Sequence, residues 1–523
     1  MRAPVIQRVK ALLPWALVGL SGLLLFLAFA PFEWASCIWF ALVPWLLVLS
    51  RPMSRRRSML VGWVAGASFW LPALFFLHPV TWAGYLILSL YCALFFVPFS
   101  LVMAAWLRRF GVENPGRNIR GMLVGGLVWV GSEYLRNHLF TGFPMDNLAV
   151  SQYRNLSFIQ IADIGGEHLV SFVIAVMNLA VGFTLLRYAS YNGRRKAWPH
   201  WEMMCAVLLV ILSFMYSLRQ PIKNDVASQP MVLTCIQPNI PQDEKFVEES
   251  ANEVYRRVFE LTDLASLQTN VQLIVWPETA IPDYVNTRSA FAFCSQLAAK
   301  GVPILAGAMR YEYINDRMDS RHFNSTVLFD EHGDSVKHYD KQHLVLLGEY
   351  VPAPDLFPWL KKITAIPENF AAGTESTIFE LDGIRFSPLI CFEDMIPGLA
   401  RNAVQAGARL LINQTNDAWY DPWHGSRQHA AHFVFRCIEN RVPAVRATNT
   451  GLTCAIDRLG RMTVEGPSMQ KWMLTTTVQV PDIAGQTIYS RWGDWLGIPA
   501  MVFMLGTCFC IAFSRRKFQA DRS

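Results

Sequence analysis

The apolar positions of this chain are gathered into long uncharged stretches in its N-terminal part and near its C-terminal end. The longer stretches, which contain no Asp, Glu, Lys or Arg, are 11–32, 34–50, 58–77, 85–107, 169–186 and 495–514. Each is close to the roughly 17–25 residues that a helix needs to cross a bilayer. Two weaker stretches, 121–134 and 206–218, are shorter or carry polar neighbours but fit the same pattern. The pattern predicts eight membrane spans.

Between residues 231 and 481 the pattern changes to short apolar or β-branched runs that alternate with longer amphipathic ones. The short runs predict strands and the longer runs predict helices, which together indicate an α/β sandwich. The predicted strands are 231–237, 273–276, 303–309, 325–329, 386–391, 409–413 and 442–447. The predicted helices are 246–268, 287–300, 395–406 and 426–440.

Composition and charge agree with a membrane protein and indicate its orientation. Hydrophobic residues make up 53% of the 523 residues and charged residues only 16%. The net charge of +6 is not one basic patch for nucleic acid, because Arg and Lys concentrate in alternate loops, at 2–10, 51–57, 108–120, 187–196 and 515–522. By the positive-inside rule both termini are cytoplasmic and the α/β domain is extracytoplasmic. We therefore expect a seven-span domain over 1–219, an extracytoplasmic domain over 220–485, and a last span with a cytoplasmic tail over 486–523.

The first span has an alternative interpretation as a cleavable signal peptide, because Ala28-Phe29-Ala30 is similar to a cleavage site. Two features disfavour it. The apolar run is longer than the roughly 7–15 residues of a signal-peptide core, and Pro31 would follow the cut.

Three segments of the α/β domain are expected to place reactive side chains at strand ends. Glu278 follows Pro277, which cannot continue a strand ladder, Lys341 lies within a polar segment, and Cys391 ends a predicted strand. A thiol attacks as the thiolate, so it needs a base for its proton and a positive charge for the developing oxyanion. Glutamate and lysine supply these two roles, although each of the three residues alone is ordinary.

The number of cysteines in the α/β domain also suggests that it contains a free thiol. Five cysteines, at positions 235, 294, 391, 437 and 454, fall within it. Because five is odd, at least one thiol lacks an internal partner in a compartment that favours disulfides.

In this order, Glu278, Lys341 with Glu349, and Cys391 with Glu393 resemble the motifs of the nitrilase superfamily. Segments 416–419, 436–443 and 449–451 are similar to the same superfamily. The resemblance implies an αββα sandwich in which Cys391 is the nucleophile and Glu278 the proton acceptor. It also implies that Lys341 and the backbone amide of Phe392 stabilise the tetrahedral intermediate.

Glu349 and Glu393 would be supporting residues by the same resemblance. Glu349 is expected to orient the Lys341 ammonium or an incoming amine, whereas Glu393 either supports the site or caps the helix that follows. Phe392 and Phe246 stand where the membrane members of the superfamily usually have Tyr and Trp. Both keep the aromatic body and lose a polar group, so a hydrogen bond from either position is in question.

With the spans included, the chain resembles the apolipoprotein N-acyltransferase family over its whole length. The segments that carry this resemblance are 27–32, 141–144, 237–240 and 490–494. It implies a multi-pass protein of the bacterial inner membrane with a periplasmic catalytic domain. An acyl chain would pass from a phospholipid to Cys391 and then to the α-amino group of a diacylglyceryl apolipoprotein, with no metal and no cofactor.

Three alternatives compete with this function. A membrane-tethered amidase would share the triad and use water to resolve the thioester, but eight spans are of little use for a soluble amide. A transporter or receptor is disfavoured because Glu133, Asp163, Glu167 and His168 cluster toward the outer ends of spans. The third alternative is a zinc site at histidines 424, 429 and 432, for which no acidic or thiol partner completes a set.

The segment 351–370 combines aromatic and basic residues in a way that suits a bilayer interface. Phe357 and Trp359 stand beside Lys361 and Lys362. We predict that this loop lies on the outer leaflet and admits the acyl chain, the alternative being an ordinary packed loop.

Overall fold

The computed structural model describes residues 2–190, 200–223, 226–314, 320–351, 369–420 and 424–513, and the side chains in these ranges except at 2–10 and 221–223. The N-terminal part is helical, as its continuous apolar stretches require when no polar face alternates with them. Its helices are α1 (Arg2–Leu27), α2 (Val43–Leu49), α3 (Arg55–Ala73), α4 (Trp82–Ala93), α5 (Val97–Phe110), α6 (Pro115–His138), α7 (Leu156–Ile159), α8 (Ala162–Ser190) and α9 (Trp201–Lys223).

Each predicted apolar stretch overlaps one or more helices of this part or the C-terminal helix Gly497–Phe513. Within the described ranges, the helical segments long and apolar enough to cross a membrane are Trp82–Phe110, Ala162–Ser190 and Trp201–Gln220. The stretch 34–50 is not one helix, because a 3-10 turn at Ala35–Trp39 precedes the short α2. The 7 residues of α2 extend only about 10 Å at roughly 1.5 Å per residue. The number of spans therefore stays a prediction.

The α/β domain contains two six-stranded sheets with the same pattern of strand directions. The first sheet has the order β12-β1-β2-β3-β4-β5, and the second has the order β6-β7-β8-β9-β10-β11. In each sheet the second, third and fourth strands are parallel and the outer neighbours are antiparallel. The elements are β1 (Ser228–Gln237), α10 (Ala251–Ser266), β2 (Leu273–Val275), α11 (Arg288–Ala298), β3 (Ile304–Tyr313), β4 (Ser320–Phe329), β5 (Ser335–Asp340), β6 (Phe379–Leu381), β7 (Ile384–Ile390), α12 (Pro397–Gln405), β8 (Leu410–Thr415), α13 (Gly425–Asn440), β9 (Ala444–Thr448), β10 (Cys454–Ile456), β11 (Met462–Glu465), β12 (Trp472–Pro481), α14 (Ile488–Trp492) and α15 (Gly497–Phe513).

The two sheets pack face to face over a continuous apolar core. Leu233 and Leu273 of the first sheet share this core with Phe386, Leu410 and Val445 of the second. Helices α10 and α11 cover the outer face of the first sheet, where their apolar side chains form a separate core. Helices α12 and α13 cover the second sheet. This arrangement confirms the predicted αββα sandwich, whose parallel central strands are buried on both faces.

The helical part and the sandwich meet where α8 packs against α13. Helix α8 is interrupted at Gly166, whose φ of 67° places it in the left-handed region and whose Cβ, if present, would lie 2.6 Å from the Tyr489 ring. The restarted helix begins with Glu167, whose backbone N–H donates to Glu439 of α13 at 3.1 Å. Buried Arg436 donates to both carboxylates, at 3.0 Å to Glu167 and 2.8 Å to Glu439.

Candidate active site

The fold brings the ends of three strands together. Glu278 follows β2 of the first sheet, Lys341 follows β5 of the same sheet, and Cys391 follows β7 of the second. Next to Glu278 the sheets are joined by Gln414 of β8, whose amide donates to the carbonyl of Trp276 at 2.7 Å. The predicted triad residues therefore lie in one pocket between the sheets, all of them buried.

Lys341 is the centre of a buried charge cluster. Its ammonium lies 2.8 Å from Glu349 Oε1 and 3.6 Å from Glu278 Oε1. Asn324 of β4 donates to the same two oxygens, at 2.7 Å to Glu278 and 3.0 Å to Glu349. The other oxygen of Glu278 accepts from the backbone N–H of Asn416 at 2.9 Å. Donors on β4 and directly after β5 and β8 thus fix the orientation of both carboxylates.

The surroundings of Lys341 keep it protonated. Burial by itself lowers the pKa of this lysine, but the nearby Glu349, Cys391 and Glu278 outweigh burial and raise the pKa above its ordinary value. A permanently charged ammonium next to Cys391 is the group that an oxyanion at this position needs.

Whereas Lys341 is held in its charged form, Cys391 is held in its neutral form, as a thiol. Burial raises the pKa of Cys391 well above its ordinary value and Glu278 adds to the rise, while Lys341 and a bond with the Thr415 hydroxyl oppose it. The thiol therefore needs a base to lose its proton. The backbone φ of Cys391 is 52°, in the left-handed region. This conformation is strained for residues other than glycine, and such strained residues are concentrated at functional sites.

Glu393 links the turn that carries the nucleophile to the segment that carries the lysine. One oxygen accepts from the backbone N–H groups of Gln342 at 2.7 Å and His343 at 3.0 Å. The other accepts from the Tyr339 hydroxyl at 2.8 Å and from the Ile390 backbone N–H at 2.7 Å. The bond from Ile390 caps the 3-10 turn that begins at Cys391, whereas the other three bonds tie this turn to the residues around Lys341.

Phe392 lies between the two parts of the chain. Its ring stacks on Phe143 of the N-terminal part and on His343, with both centroid distances 6.1 Å. The packing role of this position is kept without a hydroxyl. Phe246, the other aromatic replacement, is about half exposed.

The three histidines of the zinc alternative contact different partners. His429 contacts Asp394 at 2.7 Å and the carbonyl of Cys391 at 3.2 Å. His432 accepts from the backbone N–H of Asp146 in the N-terminal part, and His424 lies 3.3 Å from the carbonyl of Ala73. Among the described residues, no group of three His, Cys, Asp or Glu side chains is arranged to hold a metal ion.

Two further residues of the pocket were not predicted from the sequence. Asn324 gives no signal, because an asparagine inside a strand pattern is commonly an edge or turn residue. Lys245, fully buried, donates to the carbonyl of Glu278 at 3.0 Å. It directly precedes Phe246, which the resemblance had already marked, and that proximity was an available signal.

The predicted lipid-facing residues Phe357 and Trp359 lie outside the described ranges, so the role of that loop stays a prediction. The structure does describe both ends of the segment. Val351 donates its N–H to the Asn369 side chain at 3.0 Å, and Phe370 donates to the carbonyl of Glu349 at 2.9 Å. The bond from Phe370 ties the far end of the segment to a residue of the charge cluster around Lys341.

Comparisons with known proteins cover both parts of the chain. The profile of the apolipoprotein N-acyltransferase N-terminal domain matches residues 21–180, and the carbon-nitrogen hydrolase profile matches residues 232–487. An apolipoprotein N-acyltransferase of Geobacter metallireducens is 34% identical over 91% of each chain. One from Methylococcus capsulatus is 32% identical over 78% of this chain and 77% of the relative.

Among solved structures, an amidase of the nitrilase superfamily from Nesterenkonia is 18% identical and covers 52% of this chain and 95% of its own, with a TM-score of 0.37. The sequence profiles and the relatives, by contrast, match at higher identity or over whole domains. They confirm both resemblances that the motifs predicted.

Proposed function

Because this chain belongs to the apolipoprotein N-acyltransferase family, we propose that it moves an acyl chain from a phospholipid to the α-amino group of a diacylglyceryl apolipoprotein. The observation that carries the proposal is the position of the Lys341 ammonium, 2.8 Å from Glu349 and 3.6 Å from Glu278 beside the buried thiol of Cys391. Nucleophile, base and cation are the groups that acyl transfer through a thioester requires.

In the first step Glu278 takes the proton of the Cys391 thiol, and the thiolate attacks the ester carbonyl of the phospholipid. A C–S bond forms, and the carbonyl oxygen becomes an oxyanion that the Lys341 ammonium stabilises. The intermediate collapses with cleavage of the ester C–O bond. Glu278 returns its proton to the departing alkoxide, which leaves a lysophospholipid and a thioester on Cys391.

In the second step the neutral α-amine of the diacylglyceryl cysteine attacks the thioester. An N–C bond forms, Glu278 takes a proton from the nitrogen, and the C–S bond breaks. The Cys391 thiolate then takes that proton from Glu278, so the enzyme returns to its starting state. Glu349 orients the Lys341 ammonium in both steps through its 2.8 Å contact.

The same proposal includes the membrane topology. The chain would cross the bacterial inner membrane eight times, with both termini in the cytoplasm and the sandwich in the periplasm. The alternation of basic loops along the sequence supports this orientation. The stacking of Phe392 on Phe143 supports access from the bilayer, because it joins the nucleophile turn to the helical part.

The test is to incubate the purified full-length protein with a phospholipid carrying a labelled acyl chain and to search for the acyl adduct by mass spectrometry. We expect the adduct on Cys391, its absence in C391A, and its retention in C294A, which changes another buried cysteine of the same domain. A diacylglyceryl peptide should then discharge the adduct and become acylated. If no adduct forms, the acyl-transfer proposal is wrong; if water alone discharges it, the protein is an amidase-type hydrolase.

A further inference from the structure

A second lysine enters the pocket on the loop that follows β1. Asn449 fixes this loop, because its side chain accepts from the N–H of Ile240 at 2.9 Å and donates to the carbonyl of Ile240 at 2.8 Å. Asn416 adds a bond to Gln242 at 2.7 Å. The neighbouring residues 243 and 244 are exposed, whereas Lys245 is fully buried. An ammonium is not buried in this way unless other groups compensate its charge.

The compensating groups are those of the candidate active site. The Lys245 ammonium donates to the backbone carbonyl of Glu278 at 3.0 Å. Directly after this carbonyl the chain turns sharply, since Thr279 has a φ of 44°. The bond therefore fixes the backbone of the proposed base at its turn, while Asn324 and the N–H of Asn416 fix its carboxylate.

The charges of the groups that contact Glu278 or Lys341 directly balance only when Lys245 is counted. Glu278 and Glu349 carry two negative charges, and Lys341 compensates one of them. A charged Lys245 makes the total zero, and the total stays zero when a proton passes from Cys391 to Glu278. With an uncharged residue at position 245 the pocket would hold an excess negative charge, which disfavours a thiolate.

We propose that Lys245 is a positioning residue of the site, which holds the turn at Glu278 and supplies the positive charge that lets Cys391 lose its proton. This inference rests on the thiol chemistry proposed above. It assigns the loop after β1 to the reaction as well as to the packing of the domain.

The electrostatics of the two lysines differ in a way that an experiment can detect. Burial lowers the pKa of Lys245 to about 8, and the facing groups Glu278 and Cys391 offset only part of this effect. The pKa of Lys341, in contrast, is raised by Glu349, Cys391 and Glu278 against the effect of burial. Lys245 is therefore charged below about pH 8 and loses its charge above it, whereas Lys341 keeps its charge.

The experiment measures how fast iodoacetamide alkylates Cys391 in the full-length protein in detergent, from about pH 6 to about pH 10 on either side of the Lys245 pKa. Mass spectrometry of the Cys391 peptide is the readout. The variants are K245M, which removes the charge, and K245R, which keeps it at every pH used. K300M is the control, because Lys300 is a partly exposed lysine paired with Asp263 elsewhere in the domain. Alkylation needs no acyl donor, so its result is independent of whether phospholipid is the substrate.

We expect K245M to slow alkylation near neutral pH about tenfold or more, as the loss of a charge close to a buried thiolate implies, and K245R to recover most of the rate. Above about pH 8 the wild-type rate should fall below that of K245R, so that its plot of alkylation rate against pH bends near this value. The plot for K245M should show no such bend. Alkylation of K245M at the wild-type rate, or a bend near this pH that persists in both variants, would overturn the proposal. If the phospholipid assay fails while these alkylation rates are observed, the proposed acyl transfer from phospholipid is contradicted and the role of Lys245 is not.

Discussion

Arg436 offers a quantitative test of how the helical part and the sandwich are joined. Its guanidinium is fully buried and donates to Glu167 of α8 at 3.0 Å, to Glu439 at 2.8 Å and to the carbonyl of Met395 at 3.0 Å. Arg436→Met keeps most of the side-chain volume but leaves two buried carboxylates without their cation. Removing one partner of a buried ion pair costs about 3–5 kcal/mol of folding free energy. At roughly 2–4 °C per kcal/mol, the thermal midpoint should fall by about 10 °C.

The assay is thermal unfolding of the full-length protein in detergent at one fixed heating rate, because unfolding of such proteins is commonly irreversible. Arg256→Met is the matched control. Arg256 also pairs with two glutamates, Glu253 and Glu260, but its side chain is 55% exposed, so a small change in midpoint is expected there. Adding Glu439→Gln to Arg436→Met should recover part of the loss, since it removes one uncompensated charge. Equal shifts for the two arginine variants would refute this account of the junction.

The sequence predicted the sandwich well where the strands are buried on both faces. The runs at 231–237, 273–276 and 386–391 are mostly apolar, and each ends within a residue of the end of an observed strand. The strands β5, β6, β10, β11 and β12 were not predicted. They lie toward the edges of the sheets, and β5, β11 and β12 carry exposed polar positions that dilute the pattern. A period of two is hard to separate from a loop in segments of this kind.

The residues of the candidate site that could be predicted from the sequence are those whose side chains are themselves reactive. Glu278, Lys341 and Cys391 are reactive residues at strand ends, and the structure brings them into one buried pocket with Glu349. Asn324 and Lys245 were missed because their roles depend on contacts across the fold. Asn324 lies 46 residues after Glu278, and Lys245 lies 33 residues before it. Neither separation corresponds to a local motif, so the tertiary structure is needed to show that both residues contact Glu278, although the position of Lys245 directly before Phe246 was a signal in the sequence.

Two further predictions concern the pocket and the approach to it. Asn324→Ala removes the donor shared by Glu278 and Glu349, and a hydrogen bond to a charged group is worth about 1.5–3 kcal/mol, so thioester formation should slow by about 10- to 100-fold. Asn324→Gln is the control that keeps an amide, and an unchanged rate in Asn324→Ala, measured with labelled phospholipid, would contradict a role for this bond. The double variant Phe357→Ser/Trp359→Ser tests the proposed lipid-facing loop. Aromatic side chains favour the bilayer interface, so the variant should form less thioester from phospholipid while keeping its turnover of a soluble short-chain ester. A loss of the same size with both substrates would mean that the loop supports the pocket and does not admit lipid, because a defect in the pocket itself acts on every acyl donor.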